Sequence, residues 1–186
     1  RCRIIIDRSS SMYFPRRDKA DIESPNKITF SIYAAAVLIN LRKKQRDAVG
    51  ISTFTDKVDL HTQVRSSSIH QKYLYTELEQ LLDPALGKDL MPTDVTVSLH
   101  RIAEMLHKRS LVIIFSDMMD NKSRQDEMFS ALQHFKHYNH EVILFHVIDQ
   151  KLEEELDLED RPYRFVDMET NESIKLNPVE VRERYR

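Results

Sequence analysis

The sequence predicts an α/β protein with a doubly wound, mostly parallel sheet and helices on both faces, arranged in three layers. Two observations predict this class. Four short runs are rich in Val, Ile and Phe without clean alternation, which is typical of parallel strands buried on both faces. Segments with a helical spacing of apolar residues lie between these runs, and strands that alternate with helices form a sheet of this kind.

The predicted strands are the apolar runs at 3–7, 48–54, 111–117 and 141–149. A short antiparallel edge strand is predicted within 57–64. Acidic residues stand at the strand ends: Asp7, Asp117 and Asp149 close three of the runs, and Asp56 follows the other. Because ligands of such sheets bind beyond the carboxyl ends of the strands, a functional site is expected at this edge.

Four helices are predicted between the strands. Ser24 as N-cap and Pro25 at the first helical position begin the first of them. The apolar residues that share one face of this helix are Ile28, Ile32, Ala35, Ala36 and Ile39. The same spacing recurs at 69–82, 94–107 and 125–138. Each predicted helix therefore has an apolar face that can cover the sheet.

The texture of the chain changes near residue 150. Residues 1–150 hold the predicted α/β domain, whereas 151–186 are predicted to form a C-terminal extension with a hairpin and a short helix. The hairpin turns near Asn171, and Asn177 is the N-cap of the helix. The acidic run at 153–160 is predicted to be a solvated face that could contact a partner. Since the chain lacks an initiator Met, we expect it to be the C-terminal part of a longer protein.

Composition excludes several classes of function. The 186 residues carry a formal net charge of −2, which gives no support to general nucleic-acid binding. The two glycines, Gly50 and Gly87, stand apart, whereas a phosphate loop or a dinucleotide-binding turn needs clustered glycines. The single cysteine, Cys2, cannot form an internal disulfide, which favours a reducing, cytoplasmic location. No apolar stretch reaches the ~18 residues of a membrane span.

A DxSxS pattern follows the first strand. Asp7, Ser9 and Ser11 are spaced two apart in a loop, so their side chains can point the same way. Thr93 lies just before a predicted helix, and Asp117 ends a later strand. Two carboxylates and three hydroxyls form an oxygen-only set, which selects Mg²⁺ or Mn²⁺ over zinc. For the first three residues taken alone, a plain polar loop is the alternative.

The spacing of these residues resembles the metal-ion-dependent adhesion site of von Willebrand factor A-type domains, which have a Rossmann-like fold. The whole chain resembles the bacterial family catalogued as domain of unknown function 58. The stretches that carry this resemblance are "RCRIIIDRSSSM", "KITFSIYAAAVLINLRKKQRDAVGISTF", "HYNHEVILFHVID" and "RFVDMETNESIKLNPVEVRERY". One departure is "LMPTD", where many such domains carry glycines before the threonine and this chain has Pro92.

The resemblance implies a role for each site residue. Ser9, Ser11 and Thr93 would ligate the cation directly, whereas Asp7 and Asp117 would act largely through bound water. The open coordination position would take an Asp or Glu of a protein partner. The family further implies that this partner is a MoxR-type AAA+ ATPase or its client, in a chaperone-like assembly. We therefore expect a non-catalytic protein-interaction module.

Other interpretations stay open. An Asp at a strand end beside Mg²⁺ also suits a metal-dependent hydrolase or phosphatase, but Ser9 stands where a DxD-type phosphatase would carry a second Asp. A scaffold whose metal site no longer binds metal is the third possibility. Among the histidines, His134 and His137 share a helix face that could suit zinc or simply be solvated. His146 is expected to be a hydrogen-bonded core residue.

Overall fold

The structure, a computed structural model, describes residues 1–87, 95–107, 109–118, 125–159, 161–166 and 173–178. Five strands form the central sheet. They are β1 (Cys2–Asp7), β2 (Val49–Phe54), β3 (Val58–His61), β4 (Leu111–Ser116) and β5 (Glu141–His146). Their order across the sheet is β3-β2-β1-β4-β5, and all neighbouring pairs are parallel except β2 and β3. Helices flank this sheet, so the predicted three-layer α/β fold, which is Rossmann-like, is confirmed.

The helices that cover the sheet are α1 (Lys27–Lys44), α2 (Ser68–Gln80), α3 (Val95–Met105) and α4 (Gln125–His137). The predicted cap of α1 is wrong by two residues. Asn26 is the N-cap, since its backbone is extended and its side-chain oxygen accepts a hydrogen bond from the Thr29 N–H at 2.9 Å. Pro25 therefore precedes the helix. Ser24 and Asn26 are both good capping residues, and the one whose side chain reaches the first helical turn caps it.

Both faces of β1 are buried because successive residues point to opposite sides of the sheet. Ile4 and Ile6 belong to the core that α1 and α2 cover, together with Leu74 of α2. Ile5 lies on the other side, in the core that includes Leu99 of α3. The apolar run without alternation thus marks a strand between two helical layers, as the sequence predicted for this position.

β5 differs from that prediction. Its run was expected to be buried on both faces, but the residues Ile143, Leu144 and Phe145 are 45%, 37% and 41% exposed. The reason is position, because β5 is the edge strand and pairs only with β4 in the described sheet. Phe145 still stacks on Phe115 of β4, with ring centroids 4.8 Å apart.

The chain beyond β5 forms smaller elements. A π-helical turn (Gln150–Glu154) comes first, followed by β6 (Tyr163–Val166), which pairs antiparallel with β7 (Ser173–Leu176). The predicted turn near Asn171 and most of the predicted terminal helix fall outside the described residues, and the division of the chain at residue 150 stays a prediction. In the part of the chain that the structure describes, every helix is too short or too polar to cross a membrane.

Candidate metal-binding site

Asp7 is the innermost residue of the candidate site. It ends β1, and none of its surface is exposed. Its carboxylate accepts a hydrogen bond from the Ser9 backbone N–H at 2.8 Å and one from the Ser116 hydroxyl at 2.6 Å. The first contact holds the loop after β1, and the second joins β1 to the last residue of β4. Asp7 is thereby fixed at the carboxyl edge of the two central strands.

The hydroxyls of Ser9 and Ser11 lie side by side, with their oxygens 3.0 Å apart. A single turn of 3₁₀-helix at Ser10–Tyr13 produces this geometry. The Ser9 carbonyl accepts the Met12 N–H at 3.1 Å, which closes the turn. The common direction that the DxSxS spacing predicted for these two hydroxyls is therefore present.

Asp117 follows β4 directly and is buried near Asp7. The pKa of Asp7 is raised to about 6, first because burial removes water from the carboxylate and second because the charge of Asp117 repels it. Hydrogen bonds from Ser116 and Ser9 act in the opposite direction. The fold thus brings together the carboxylates of Asp7 and Asp117, which are 110 positions apart in the sequence, and their negative charges repel each other.

Ser116 is a site residue that the sequence reasoning missed. Its hydroxyl donates to Asp7 and also accepts the Met118 N–H at 2.9 Å. Met118 has a φ of 50°, in the left-handed region that non-glycine residues seldom adopt. One hydroxyl therefore orients both the Asp7 carboxylate and the backbone that carries Asp117. Its place between a buried run and Asp117 is the signal that could have identified it.

Lys27 is the second site residue that was missed. Its ammonium group donates to the Asp117 carboxylate at 2.8 Å and to the Glu153 carboxylate at 2.6 Å. The group also lies 5.8 Å from the centre of the Phe14 ring. Lys27 is the first residue of α1, where the helix dipole disfavours a positive charge. Carboxylate neighbours favour a lysine at that position, and this is the sequence signal that was available.

The remaining predicted residues are distributed as follows. Thr93 lies outside the described residues. His146 is exposed, so the expectation of a core histidine is wrong, and it hydrogen-bonds the Asp117 carbonyl oxygen at 3.0 Å. Exposure follows from the edge position of β5.

His134 contacts His100 through their Nδ1 atoms at 2.9 Å. Among the described residues, no group of three or more His, Cys, Asp or Glu side chains could hold a metal ion.

The chemistry of the donors fits a hard divalent cation on the side of β1. Ser9, Ser11 and Asp7 offer oxygen only, as Mg²⁺ requires. Asp7, Asp117 and Glu153 carry three negative charges when all are ionised, and Lys27, which lies between Asp117 and Glu153, carries one positive charge. The group therefore has an excess of two negative charges. A divalent ion would balance that excess. One oxygen of Asp117 is already bonded to Lys27, so a metal would have to share this carboxylate with the ammonium.

Comparisons with known proteins agree with the fold. The family model described as "Protein of unknown function DUF58" matches residues 2–186. No curated protein matches the chain. A solved structure titled as the conserved hypothetical protein BatB from Bacteroides thetaiotaomicron has a TM-score of 0.57 at 15% identity, covering 100% of this chain and 84% of that one. An aerotolerance-related membrane protein from Bacteroides fragilis NCTC 9343, with multiple mutations to serines, has a TM-score of 0.55 at 16% identity, with coverages of 99% and 84%. At these identities the likeness concerns the fold alone.

Proposed function

Because this chain belongs to the DUF58 family, whose function is unknown, we propose its function from the site: a non-catalytic, von Willebrand factor A-like module that binds protein partners. In this proposal Mg²⁺ or Mn²⁺ at the edge of the sheet holds an acidic group of the partner. The observation that carries the proposal is the pair of Ser9 and Ser11 hydroxyls, 3.0 Å apart beside the buried Asp7. These three residues present their oxygen atoms close together at the edge of the sheet.

Each side chain has a part in this proposal. Ser9 and Ser11 are direct ligands through their hydroxyls, and Thr93 joins them as the resemblance implies. Asp7 and Asp117 act largely through bound water, and their charges keep the cation in place. Two anions near a divalent ion leave little excess positive charge, so an incoming carboxylate is attracted without being trapped. The module thereby binds reversibly.

The family resemblance favours a MoxR-type AAA+ ATPase or its client as the partner. In this proposal the two proteins bind each other in the cytoplasm. Affinity capture from the source cell, with and without EDTA, tests this part of the proposal. An ATPase of that class that is captured only in the presence of divalent cation is the expected result. Capture that is insensitive to EDTA would contradict a metal-mediated contact.

Calorimetric titration with Mg²⁺ and with Mn²⁺ tests the metal itself. We expect heat of binding with the wild-type protein and its loss in Asp7→Asn, which keeps the shape of the side chain but removes the charge. Asp56→Asn is the matched control, since Asp56 also follows a strand at this sheet edge but is exposed. Absence of heat in the wild-type protein would refute the metal-binding proposal.

A second candidate function is a scaffold in which Lys27 takes the place of the metal. The observation that favours it is the buried ion pair between Lys27 and Asp117, at 2.8 Å. A tethered ammonium supplies one positive charge without any free cation. The same titration distinguishes the two candidates, because the scaffold gives no heat with Mg²⁺ or Mn²⁺ in any variant.

A further inference from the structure

We propose that Glu153 is a built-in ligand of this site. Its carboxylate binds the Lys27 ammonium beside the proposed cation site, and an acidic partner peptide binds this ammonium by displacing Glu153 and lying in the adjacent groove. The inference rests on the proposed function in one respect, namely that the site accepts an acidic group. It adds the chemistry of the partner segment and a competitor within the chain.

The first observation is the exposure gradient along the ion-pair network. The side chains of Lys27 and Asp117 are 2% and 1% exposed, whereas that of Glu153 is 18% exposed. Asp117 is thus the inner anion of the ammonium and Glu153 the outer one. A buried ammonium is costly without carboxylate neighbours, so when Glu153 leaves, the vacated side of Lys27 favours another carboxylate.

The second observation is that the Glu153 turn is lightly anchored. The π-helical turn Gln150–Glu154 contains no buried residue. Its own hydrogen bonds are local: Asp149 accepts the Leu152 N–H at 2.8 Å, and Glu153 accepts the Asp149 N–H at 2.7 Å. The contact of Glu153 with Lys27 joins this turn to α1. Segments with little buried apolar surface open at low free-energy cost, so displacement of the turn is feasible.

The third observation is a groove of about 270 Å³ beside the network. Lys27, Phe30, His146 and Ile148 are among its lining residues. Phe30 and Ile148 expose 48% and 39% of their surface. Apolar walls next to a cation suit one occupant, a short peptide with an acidic side chain and a neighbouring apolar side chain. The charge of Lys27 selects the carboxylate, and the apolar walls select its neighbour.

A built-in ligand competes at a high effective concentration. A tethered group faces its site at roughly millimolar concentration or above, and a partner binds only to the fraction of molecules in which the site is free. Removal of the Glu153 charge should therefore raise the affinity for an acidic peptide by about tenfold or more.

The test uses a synthetic peptide that copies residues 148–157 of this chain, "IDQKLEEELD". Its binding to the whole protein is followed by NMR up to millimolar concentration. We expect Glu153→Gln protein to bind the peptide at least tenfold more tightly than the wild type does, with shifts at the groove. A peptide that carries Gln at the position of Glu153 should lose this binding. Glu154→Gln is the matched control, because this exposed neighbour should leave the affinity at the wild-type value.

Equal affinity of the wild-type and Glu153→Gln proteins, or no binding to either, would overturn the inference. Because Glu153 is the least buried member of the network, and Asp117 still compensates the charge of Lys27, its replacement should leave the fold intact, which circular dichroism checks. The titrations are done in Mg²⁺ and in EDTA. The cation calorimetry alone decides the metal proposal, and the peptide comparison alone decides the role of Glu153, so that a failure of one is distinguishable from a failure of the other.

Discussion

The ammonium of Lys27 lies 2.8 Å from the carboxylate of Asp117, which joins the first turn of α1 to the end of β4. Both side chains are almost completely buried. In such surroundings the loss of one partner costs more than the attraction between the two, because the other charge is left without compensation. This asymmetry makes the pair a sensitive probe of the site.

Replacement of Lys27 by Met should therefore lower the free energy of unfolding by about 3–5 kcal/mol. The double variant Lys27→Met with Asp117→Asn should recover most of this loss, since the deeply buried charge of Asp117 is removed and the carboxylate that remains, Glu153, is the more exposed of the two. Urea denaturation at neutral pH measures both. Lys43→Met is the control, because Lys43 is exposed on the same helix and should change the stability by about 0.5 kcal/mol at most. A similar small effect for Lys27→Met would show that the pair is not formed in solution.

Ser9→Ala and Ser11→Ala should each lower the affinity for Mg²⁺ by about tenfold or more, since even indirect partners of a metal commonly have that effect. Each variant removes one oxygen of the convergent pair and leaves the backbone turn in place. Calorimetry gives the dissociation constants. Ser10→Ala is the matched control, from the same turn but outside the DxSxS positions, and should bind Mg²⁺ as the wild type does. Unchanged affinity in both test variants would remove the serines from the metal site.

Gly87→Ala should destabilise the protein by about 1–3 kcal/mol through overpacking. A methyl group at residue 87 would come within 2.7 and 2.8 Å of the Cβ and Cδ1 atoms of Tyr13, and closer still to Cγ. Tyr13 ends the 3₁₀ turn that carries Ser11, so the clash should also disturb that turn. Thermal unfolding measures the effect. Combined with Tyr13→Ala, the glycine substitution should cost less than it does alone, whereas strict additivity would mean that the two residues do not touch.

The contribution of His61 to the stability of the fold should be lost as the pH drops from about 6.5 to about 4. The raised pKa of Asp7 acts in the opposite direction over part of this range, so the His61 contribution is measured as the difference between wild type and variant. Burial, and next the charge of Arg3, lower the pKa of His61 from 6.5 to about 4. In that interval the unfolded chain takes up a proton that the folded one does not, so its contribution is complete above pH 6.5 and is lost below. We expect His61→Gln to flatten this dependence by about 1–2 kcal/mol, since solvent screens a half-buried ring. Denaturation curves measured across this pH range test the role of His61, and His137→Gln is the control because His137 is exposed. Identical pH profiles of stability for the wild type and His61→Gln would contradict the prediction.

Much of the fold could be predicted because the spacing of apolar residues along the chain indicates which segments are buried and on which faces. The run at Ile4–Ile6 is apolar at every position, and the structure places it between two helical layers. The DxSxS spacing likewise predicted the neighbouring hydroxyls of Ser9 and Ser11, since both lie in one short loop. The run at Ile143–Phe145 looks the same in sequence but belongs to an edge strand. Local composition does not distinguish the two positions, because exposure at an edge depends on which elements cover it.

The sequence by itself determined which segments become the strands of the central sheet and the helices α1–α4, and which oxygens share the loop after β1. These features follow from the period of apolar residues and from spacings of a few residues. Only the tertiary structure decided that Lys27, Asp117 and Glu153 form one network. Their meeting depends on the order of strands in the sheet and on where α1 begins relative to the turn after β5. A buried ammonium binds the carboxylates that lie nearest and are shielded from water, and neither nearness nor shielding can be deduced from residues so far apart along the chain.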